Sequence, residues 1–325
     1  MLQNRRMPER ICGFNGVCAM LSIIVPAYNE EKMAPAAAEV ISRIMDEAGI
    51  DFELLLVDDG SKDGTWREIQ RAGENDPRVV GLHFSRNFGK EAAMFAGLER
   101  ARGDCCAVID CDLQHPPEKL VEMYRLWEQG YEVIEGIKED RGRESGLHRF
   151  AANSFYGLIS RSTGMDMSAS SDFKLLDRKV VDTLNQMPER NVFFRALSFW
   201  VGFKRTEVSY RVRERAEGES KWSTGALIKY AISNIGSFSS APLHIITVLG
   251  IIMLAVSVAL GVTALVQKIT GQALGGFTTV ILLLLFSSSV IMISLGIIGF
   301  YIARIYEELK GRPRYIISET CGGEK

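Results

Sequence analysis

An apolar run that ends in two carboxylates stands at residues 105–114, Cys-Cys-Ala-Val-Ile-Asp-Cys-Asp-Leu-Gln. Its first five residues have the length and apolar character of a strand buried on both faces. Asp110 and Asp112 follow two positions apart, so both side chains can turn toward one pocket, and Gln114 adds an amide oxygen nearby. Carboxylate and amide oxygens suit Mg²⁺ or Mn²⁺, which would let this acidic edge bind a diphosphate. The run therefore predicts a metal-dependent anion site.

Four other apolar runs have the same form, and helical segments separate them. The runs are Leu21–Val25, Glu53–Val57, Val79–His83 and Tyr131–Gly136, and the helical segments cover about 34–48, 63–73, 91–102 and a stretch that begins at Pro116. Strands that alternate with helices predict an α/β fold with a mostly parallel sheet, whose ligands bind at the carboxyl ends of strands. The sequence contains neither GxGxxG nor GxxxxGK[ST], so a dinucleotide-binding fold or a P-loop is not predicted.

Two long runs near the C-terminus carry no Asp, Glu, Lys or Arg. Leu243–Val266 and Phe277–Ala303 each exceed the roughly 20 residues that cross a bilayer as a helix. We expect a transmembrane hairpin rather than a pair of buried core helices. Lys and Arg flank the hairpin and are sparse in its connector, which predicts that both termini are cytoplasmic.

Composition narrows the functional classes. The 325 residues are 47% hydrophobic with a formal net charge of −2, which excludes a disordered chain and gives no electrostatic support to nucleic-acid binding. Residues 1–19 have no apolar h-region and are expected to be a disordered extension, not a secretory signal. The six Cys form no CxxC pair, so a zinc site is not expected.

At this point the motifs resemble a known family. Ser22 to Glu30, Val57 to Ser61 and Asp110 to Gln114 resemble family 2 glycosyltransferases of the GT-A fold. Ser171 to Arg178 and Arg213 to Trp222, with Gly-Glu-Ser-Lys-Trp at 218–222, resemble the polyprenyl-phosphate branch of that family. The motif Gln-x-x-Arg-Trp of processive polysaccharide synthases is absent. A single transfer to a lipid carrier is therefore expected.

The resemblance implies an inverting enzyme of the inner (plasma) membrane. It would move one sugar from a nucleotide diphosphate sugar to undecaprenyl phosphate at the cytoplasmic face, with Mg²⁺ or Mn²⁺ as cofactor. UDP-glucose is the favoured donor, and GDP-mannose, UDP-N-acetylglucosamine and UDP-aminoarabinose are the alternatives. The resemblance also implies a homo-oligomer such as a tetramer. A membrane-tethered GT-A binding protein without catalysis is the alternative from another class.

Residue roles follow from the same resemblance. Catalytic positions are Asp112 and Asp172, and the metal ligands are Asp110, Asp112 and Gln114. The nucleotide sugar is expected to contact Pro26, Ala27, Tyr28, Glu30, Asp58, Asp59, Ser61, Lys90, Asp110 and Cys111. Asp172 is expected to orient substrate rather than act as a base, with a structural pairing to Lys174 or Arg178 as the alternative. Family members often have Gly before this Asp, whereas here it is Ser171, so the local turn could differ.

The predicted organisation has five parts. They are the extension at 1–19, a GT-A domain at 20–187, acceptor-side strands and interface helices at 188–242, the membrane hairpin at 243–303, and a cytoplasmic tail at 304–325. The aromatic stretch Asn191–Phe203 is either an interfacial helix against membrane lipid or a core helix.

The acceptor phosphate needs cations at the membrane face. Candidates lie in two charged segments: Arg141 and Arg149 in the first, and Arg213, Arg215, Ser220 and Lys221 in the second. We expect Arg215→Ala and Lys221→Ala to raise the KM for undecaprenyl phosphate or lower kcat by roughly 10- to 150-fold, the value of one charge-assisted contact. Donor binding, titrated separately, should change little. Lost donor affinity with normal acceptor kinetics would place these residues on the nucleotide side.

Overall fold

The computed structural model describes residues 19–139, 171–187, 189, 193–211, 241–270 and 276–323. Residues 1–18 of the predicted extension and all six candidate acceptor-phosphate residues lie outside these ranges. The chain divides into two compact units, one that includes the described residues up to 211 and from 313 onward, and one that includes the described residues between 241 and 312.

The larger unit is built on a sheet that has eight strands among the described residues. The strands are β1 (Met20–Ala27), β2 (Asp51–Asp58), β3 (Val79–Phe84), β4 (Cys105–Val108), β5 (Val133–Lys138), β6 (Lys174–Asp177), β7 (Arg205–Tyr210) and β8 (Ile317–Cys321). Their spatial order is β7-β5-β6-β4-β1-β2-β3-β8. Strands β1 to β4 run parallel to one another, as do β5 and β7, whereas β6 and β8 run antiparallel to their neighbours. The sheet is mostly parallel, which confirms the predicted fold class.

Six helices in the described part of the larger unit connect and cover these strands. They are α1 (Met33–Ala48), α2 (Thr65–Asn75), α3 (Lys90–Arg100), α4 (Lys119–Glu128), α5 (Arg178–Gln186) and α6 (Phe194–Trp200). On α1 the buried residues fall at helical spacing, as Ala34, Ala37, Ala38, Ile41 and Met45, which is the pattern of a helix with one face on a core. On α6 most side chains are buried and Trp200 is exposed, so the core alternative for this stretch is the one the structure supports.

The core lies against both faces of the central strands. After its first residue, each of β1 and β2 is buried along its whole length, as the near-continuous apolar runs predict. Helix α3 approaches β1 closely, since a Cβ added at Gly97 would lie 2.3 Å from Cγ2 of Ile24. This close packing fixes α3, whose first residue is Lys90.

The last strand comes from residues that the sequence analysis left in a tail. β8 pairs with the outer edge of β3, and Trp66 Nε1 donates to Glu319 Oε2 at 2.8 Å. Just before β8, Tyr315 stacks on Phe84 with ring centroids 5.1 Å apart, and its hydroxyl bonds Glu99 on α3. The chain after the apolar helices is thus an integral edge of the sheet.

The smaller unit consists, in its described part, of two long helices, α7 (Ala241–Ile269) and α8 (Phe277–Leu309). Their most apolar windows are Ile246–Thr263, with mean hydropathy 2.5, and Phe286–Leu309, with mean hydropathy 1.9. No residue of either window is buried, whereas core helices would be. Length, apolarity and exposure make both helices candidate membrane spans.

Removing β8 should destabilise the larger unit. A chain that ends after Ile316 leaves strand β3 without its outer partner. Each backbone hydrogen bond lost should lower the free energy of unfolding by about 1 kcal/mol. The exposed edge strand also favours aggregation. We expect a lower thermal midpoint in detergent than for a control chain that ends after Gly323. Equal midpoints for the two truncated chains would show that β8 contributes nothing to stability.

Candidate active site

The loops that follow β1 and β2 are tied together by hydrogen bonds from both backbones. Asn29, in the left-handed region with φ 53°, donates its amide to Ser61 Oγ at 2.8 Å and accepts from Lys62 N at 3.0 Å through its side-chain oxygen. Glu30 N donates to Thr65 Oγ1 at 2.8 Å. An Asn tolerates this backbone conformation better than most residues. The two predicted ligand-binding loops are therefore one rigid rim.

Asp58 stabilises this rim through hydrogen bonds from beneath the loop that follows β2. Its side chain is fully buried, its Oδ1 accepts from Ser61 N at 3.0 Å and from the Ser61 hydroxyl, and its Oδ2 lies 2.7 Å from His83 Nδ1. Both carboxylate oxygens are engaged, so Asp58 supports the loop and does not present an oxygen to the open side of the site.

Asp59 places the loop that precedes α3. It accepts from Phe88 N at 2.6 Å and from Gly89 N at 2.9 Å, one bond to each oxygen. Gly89 has φ +102°, which side-chain-bearing residues rarely adopt. Burial raises the pKa of Asp59 to about 6 despite these two bonds. The carboxylate thus fixes the backbone from which Lys90 projects.

Lys90 and Arg195 converge on the carboxylate of Asp172. Lys90 Nζ lies 2.6 Å from Asp110 Oδ1 and 2.9 Å from Asp172 Oδ2. Arg195 from α6 makes a two-bond contact, Nε to Asp172 Oδ1 at 2.7 Å and Nη2 to Oδ2 at 2.9 Å. We call these four residues, Lys90, Asp110, Asp172 and Arg195, the ion cluster. It joins α3, the end of β4, the turn before β6, and α6.

The ion cluster keeps Asp172 ionised. Burial alone would raise the pKa of this nearly buried carboxyl, but the charges of Lys90 and Arg195 and their hydrogen bonds outweigh burial and hold the pKa well below its usual value. Burial also opposes the charge on Lys90, yet Asp110 and Asp172 raise its pKa. Each partner therefore stabilises the charged form of the other.

Glu91 fixes the start of α6 and so the position of Arg195. Its Oε2 accepts from Phe194 N at 2.9 Å, satisfying one of the backbone donors that the first turn of a helix leaves unpaired. Burial, followed by the nearby charge of Asp172, raises the pKa of Glu91 to about 8. Glu91 thus positions Arg195, and its neighbour on α3, Lys90, contacts the same Asp172 carboxylate that Arg195 binds.

A buried ionic group lies behind Asp172. Glu135 accepts from Ser171 N at 3.0 Å and pairs with Lys174 Nζ at 3.1 Å and Arg205 Nη2 at 2.6 Å. The Ser171 hydroxyl donates to Gly136 O at 2.6 Å. The Ser that departs from the family's Gly is thus accommodated by its own hydrogen bond, and the turn that carries Asp172 is anchored on β5.

The turn after β4 carries the predicted metal ligands. Asp112 and Gln114 are partly exposed, Gln114 N donates to Asp112 Oδ1 at 3.1 Å, and Leu113 between them has φ 54°. Within the described ranges, no group of three or more His, Cys, Asp or Glu side chains is arranged to hold a metal. Two oxygen donors on one short turn fit a hard cation that shares its remaining ligands with a diphosphate.

The predicted nucleotide-sugar residues divide into two sets. Five are buried: Pro26, Ala27, Asp58, Asp59 and Cys111. Five are partly or largely exposed: Tyr28, Glu30, Ser61, Lys90 and Asp110. Both sets lie on the strand ends and loops that meet at one edge of the sheet, and their contacts with a nucleotide remain a prediction.

Asp172 forms its ion pairs with Lys90 and Arg195, which are not the partners named in the structural alternative, and its role toward a substrate stays a prediction. Lys174 pairs with Glu135 and donates to Ser198 Oγ at 2.8 Å, and Arg178 donates to Gly103 O through Nε at 2.8 Å. Arg195, which lies inside the stretch Asn191–Phe203, and Glu91 were not predicted as site residues. A single Arg within an otherwise apolar helix was the one signal for Arg195.

Comparison with known proteins identifies the family. The family model described as glycosyl transferase family 2 matches residues 22–184. An uncharacterized glycosyltransferase, YkcC of Bacillus subtilis, is 39% identical over 93% of this chain and 94% of its own. The SfII prophage-derived bactoprenol glucosyl transferase of Shigella flexneri is 35% identical over 93% of this chain and 99% of its own. Among solved structures, glucosyl-3-phosphoglycerate synthase from Mycobacterium tuberculosis aligns with TM-score 0.48 and 18% identity over 68% of this chain and 80% of its own.

The ion cluster predicts how stability depends on pH. Arg195→Met removes one partner of ionised Asp172. We expect it to lower the free energy of unfolding by about 1.5–3 kcal/mol near pH 7, as measured by urea unfolding in detergent. Because the folded-state pKa of Asp172 is lowered, its contribution is present above the unfolded-state pKa near 4 and lost as pH falls. The unfolded states of the two proteins titrate alike, so the deficit should persist while Asp172 is ionised in both folded proteins. It should shrink once the pH falls below the folded-state pKa that Asp172 has in the variant, which lies above that in the unaltered protein.

Arg178→Met is the matched control for this measurement. Arg178 bonds a backbone carbonyl and has a long ion pair of 3.8 Å with the exposed Asp182. Exposed pairs contribute little, so the deficit that Arg178→Met causes should change little over the same pH range. A deficit of Arg195→Met at pH 7 no larger than that of Arg178→Met, or a deficit that grows as the pH falls, would contradict the charge argument.

Proposed function

The chain belongs to glycosyl transferase family 2, and we propose that it moves one sugar, glucose in the first instance, from a nucleotide diphosphate sugar to undecaprenyl phosphate. The observation that carries this proposal is the 35% identity to a bactoprenol glucosyl transferase over 93% of this chain and 99% of that protein. The match extends through the apolar helices as well as the catalytic domain, so the acceptor side is included in the likeness.

The ion cluster supports a reaction between two phosphate-bearing substrates. Lys90 and Arg195 are 42% and 28% exposed at their side chains, so both side chains form part of the surface of the site. Cations preorganised by buried carboxylates can stabilise negative charge that develops on a leaving diphosphate. Arg195 suits the paired oxygens of a phosphate, and Lys90 acts as a point charge.

In this proposal Asp172 orients the cations and does not remove a proton. A carboxylate whose pKa is lowered is a weak base, and both oxygens of Asp172 already accept from Lys90 and Arg195. No base is required, because a phosphate monoester has its second pKa near 6 and is mostly dianionic at about pH 7. The acceptor oxygen is a nucleophile as it stands, and its attack on the anomeric carbon inverts that centre.

Asp112 and Gln114, with Asp110 beside them, are the residues that would hold a divalent cation. Their oxygen atoms and partial exposure fit Mg²⁺ or Mn²⁺. When bound, the cation would neutralise charge on the diphosphate as a Lewis acid. Asp110 is also paired with Lys90, so the two positive groups would act on adjacent parts of the same diphosphate.

Sheet pairing supports the proposed membrane topology. β7, which precedes α7, and β8, which follows α8, belong to one sheet. The chain must therefore cross a membrane an even number of times between residues 211 and 317, as two spans do. Together with the Lys and Arg that flank the spans, this supports a topology in which the catalytic unit and the C-terminus lie in the cytoplasm, where nucleotide sugars are available.

Transfer to lipid tests the proposal directly. Purified protein in detergent receives undecaprenyl phosphate and, in parallel, radiolabelled UDP-glucose, GDP-mannose, UDP-N-acetylglucosamine or UDP-aminoarabinose. We expect one donor, UDP-glucose, to give an organic-soluble product that carries a single sugar. Nucleotide binding without labelled lipid from any donor would favour a binding protein that lacks catalysis.

Asp112→Asn tests the metal ligands. We expect transfer to be nearly abolished, because an amide cannot supply an anionic ligand to a hard dication. EDTA should silence the unaltered protein, and Mg²⁺ or Mn²⁺ should restore it. Asp104→Asn is the matched control, since Asp104 lies before β4 and accepts from Met20 N, at the opposite end of the strand. Full activity in EDTA would end the metal hypothesis.

A further inference from the structure

Within the part of the chain that the structure describes, two buried polar atoms beside the ion cluster have no hydrogen-bond partner. They are Nδ1 of His115 and the hydroxyl oxygen of Tyr210, in residues that are 8% and 1% exposed. Native structures leave few buried polar atoms unpaired, and each such atom calls for an explanation. Among the described residues these are the two such atoms whose rings contact each other.

The two rings are held by a third. His115 stacks on Phe173 with ring centroids 5.1 Å apart and an angle of 13°. Tyr210 meets both rings edge-on, at 5.4 Å from His115 and 5.5 Å from Phe173. We call Phe173, His115 and Tyr210 the aromatic triad. Its mutual packing fixes where the two unpaired atoms lie, so neither side chain can turn to solvent without breaking a ring contact.

The aromatic triad lies next to the reacting part of the proposed site. His115 Nδ1 is 3.8 Å from Asp110 Oδ2, which is too long for a hydrogen bond. Phe173 directly follows Asp172 in the chain. The triad is buried, whereas the side chains of Lys90 and Arg195 are partly exposed. A phosphate would be met by those cations, so the buried atoms suit a neutral group.

Resting on the proposed function, we propose that His115 and Tyr210 bind a hydroxyl group of the transferred sugar. A sugar hydroxyl donates one hydrogen bond and accepts others, as does the phenol of Tyr210, and an imidazole nitrogen can take either role according to its tautomer. A site built to hydrogen-bond a hydroxyl discriminates strongly against a donor that lacks it. The pair would therefore help to select which sugar is transferred.

Tyr210→Phe tests this proposal because it deletes the hydroxyl and keeps the ring. Calorimetry on the full-length protein in detergent compares UDP with UDP-glucose, GDP with GDP-mannose, and UDP with UDP-N-acetylglucosamine. The pair with the largest gain from the sugar is then measured with the variant. We expect Tyr210→Phe to reduce that gain by about 10-fold, or 1.4 kcal/mol, and to leave nucleoside diphosphate binding unchanged.

Deoxy analogues of the same donor identify the hydroxyl. One analogue, lacking a single hydroxyl, should bind the unaltered protein and Tyr210→Phe equally, whereas the others should keep the difference. His115→Phe should show the same selectivity. Tyr124→Phe is the matched control, because its hydroxyl bonds Ala19 O away from the cluster, and it should bind every probe normally.

Three outcomes would overturn the proposal. They are equal losses for nucleoside diphosphate and sugar nucleotide, no loss for either, and no donor that binds more tightly than its nucleoside diphosphate. The first two would assign the unpaired atoms to a buried water or to packing. Since calorimetry needs no turnover, absence of transfer to lipid together with a sugar-specific loss would reject the proposed function and retain the sugar subsite.

Discussion

The carboxylate of Asp172 lies between Lys90 and Arg195, and the geometry of the site depends on this arrangement. Lys90 begins α3, Arg195 belongs to α6, and Asp172 lies on the turn before β6. Three elements that are distant in the chain are thereby joined at one point. Other contacts hold each arm: Asp59 holds the backbone before Lys90, Glu91 holds the start of α6, and Glu135 holds the turn.

Burying charges is costly unless they are paired, and Lys90 and Arg195 both pair with Asp172. The pairing has a chemical consequence as well as a structural one. It makes Asp172 a weak base and keeps Lys90 and Arg195 charged and in place before a substrate arrives. Such preorganisation suits a reaction in which a diphosphate leaves and a phosphate attacks, since charge stabilisation is needed and proton removal is not.

Local patterns in the sequence predicted the parts of the molecule that depend on local physics. Apolar runs predicted the first five strands. Carboxylates that follow β2 and β4 predicted that the site lies at the carboxyl ends of the strands. Arg195 and Tyr210 were missed, because they reach the site through contacts between elements far apart in sequence, which periodicity does not encode. β8 was missed because an exposed strand at a sheet edge has no apolar alternation, and its partner β3 is more than 200 residues away.

The central claim is that the carboxyl ends of the central strands, where Asp110, Asp112 and the ion cluster lie, bind the diphosphate of a sugar nucleotide. The most direct test is a crystal structure of the protein with Mn²⁺ and UDP, with anomalous scattering used to locate the manganese. The account predicts one manganese peak in contact with a carboxylate oxygen of Asp112 and with the diphosphate, and Lys90 beside the same diphosphate. Manganese and UDP bound away from Asp112 and Lys90 would contradict it.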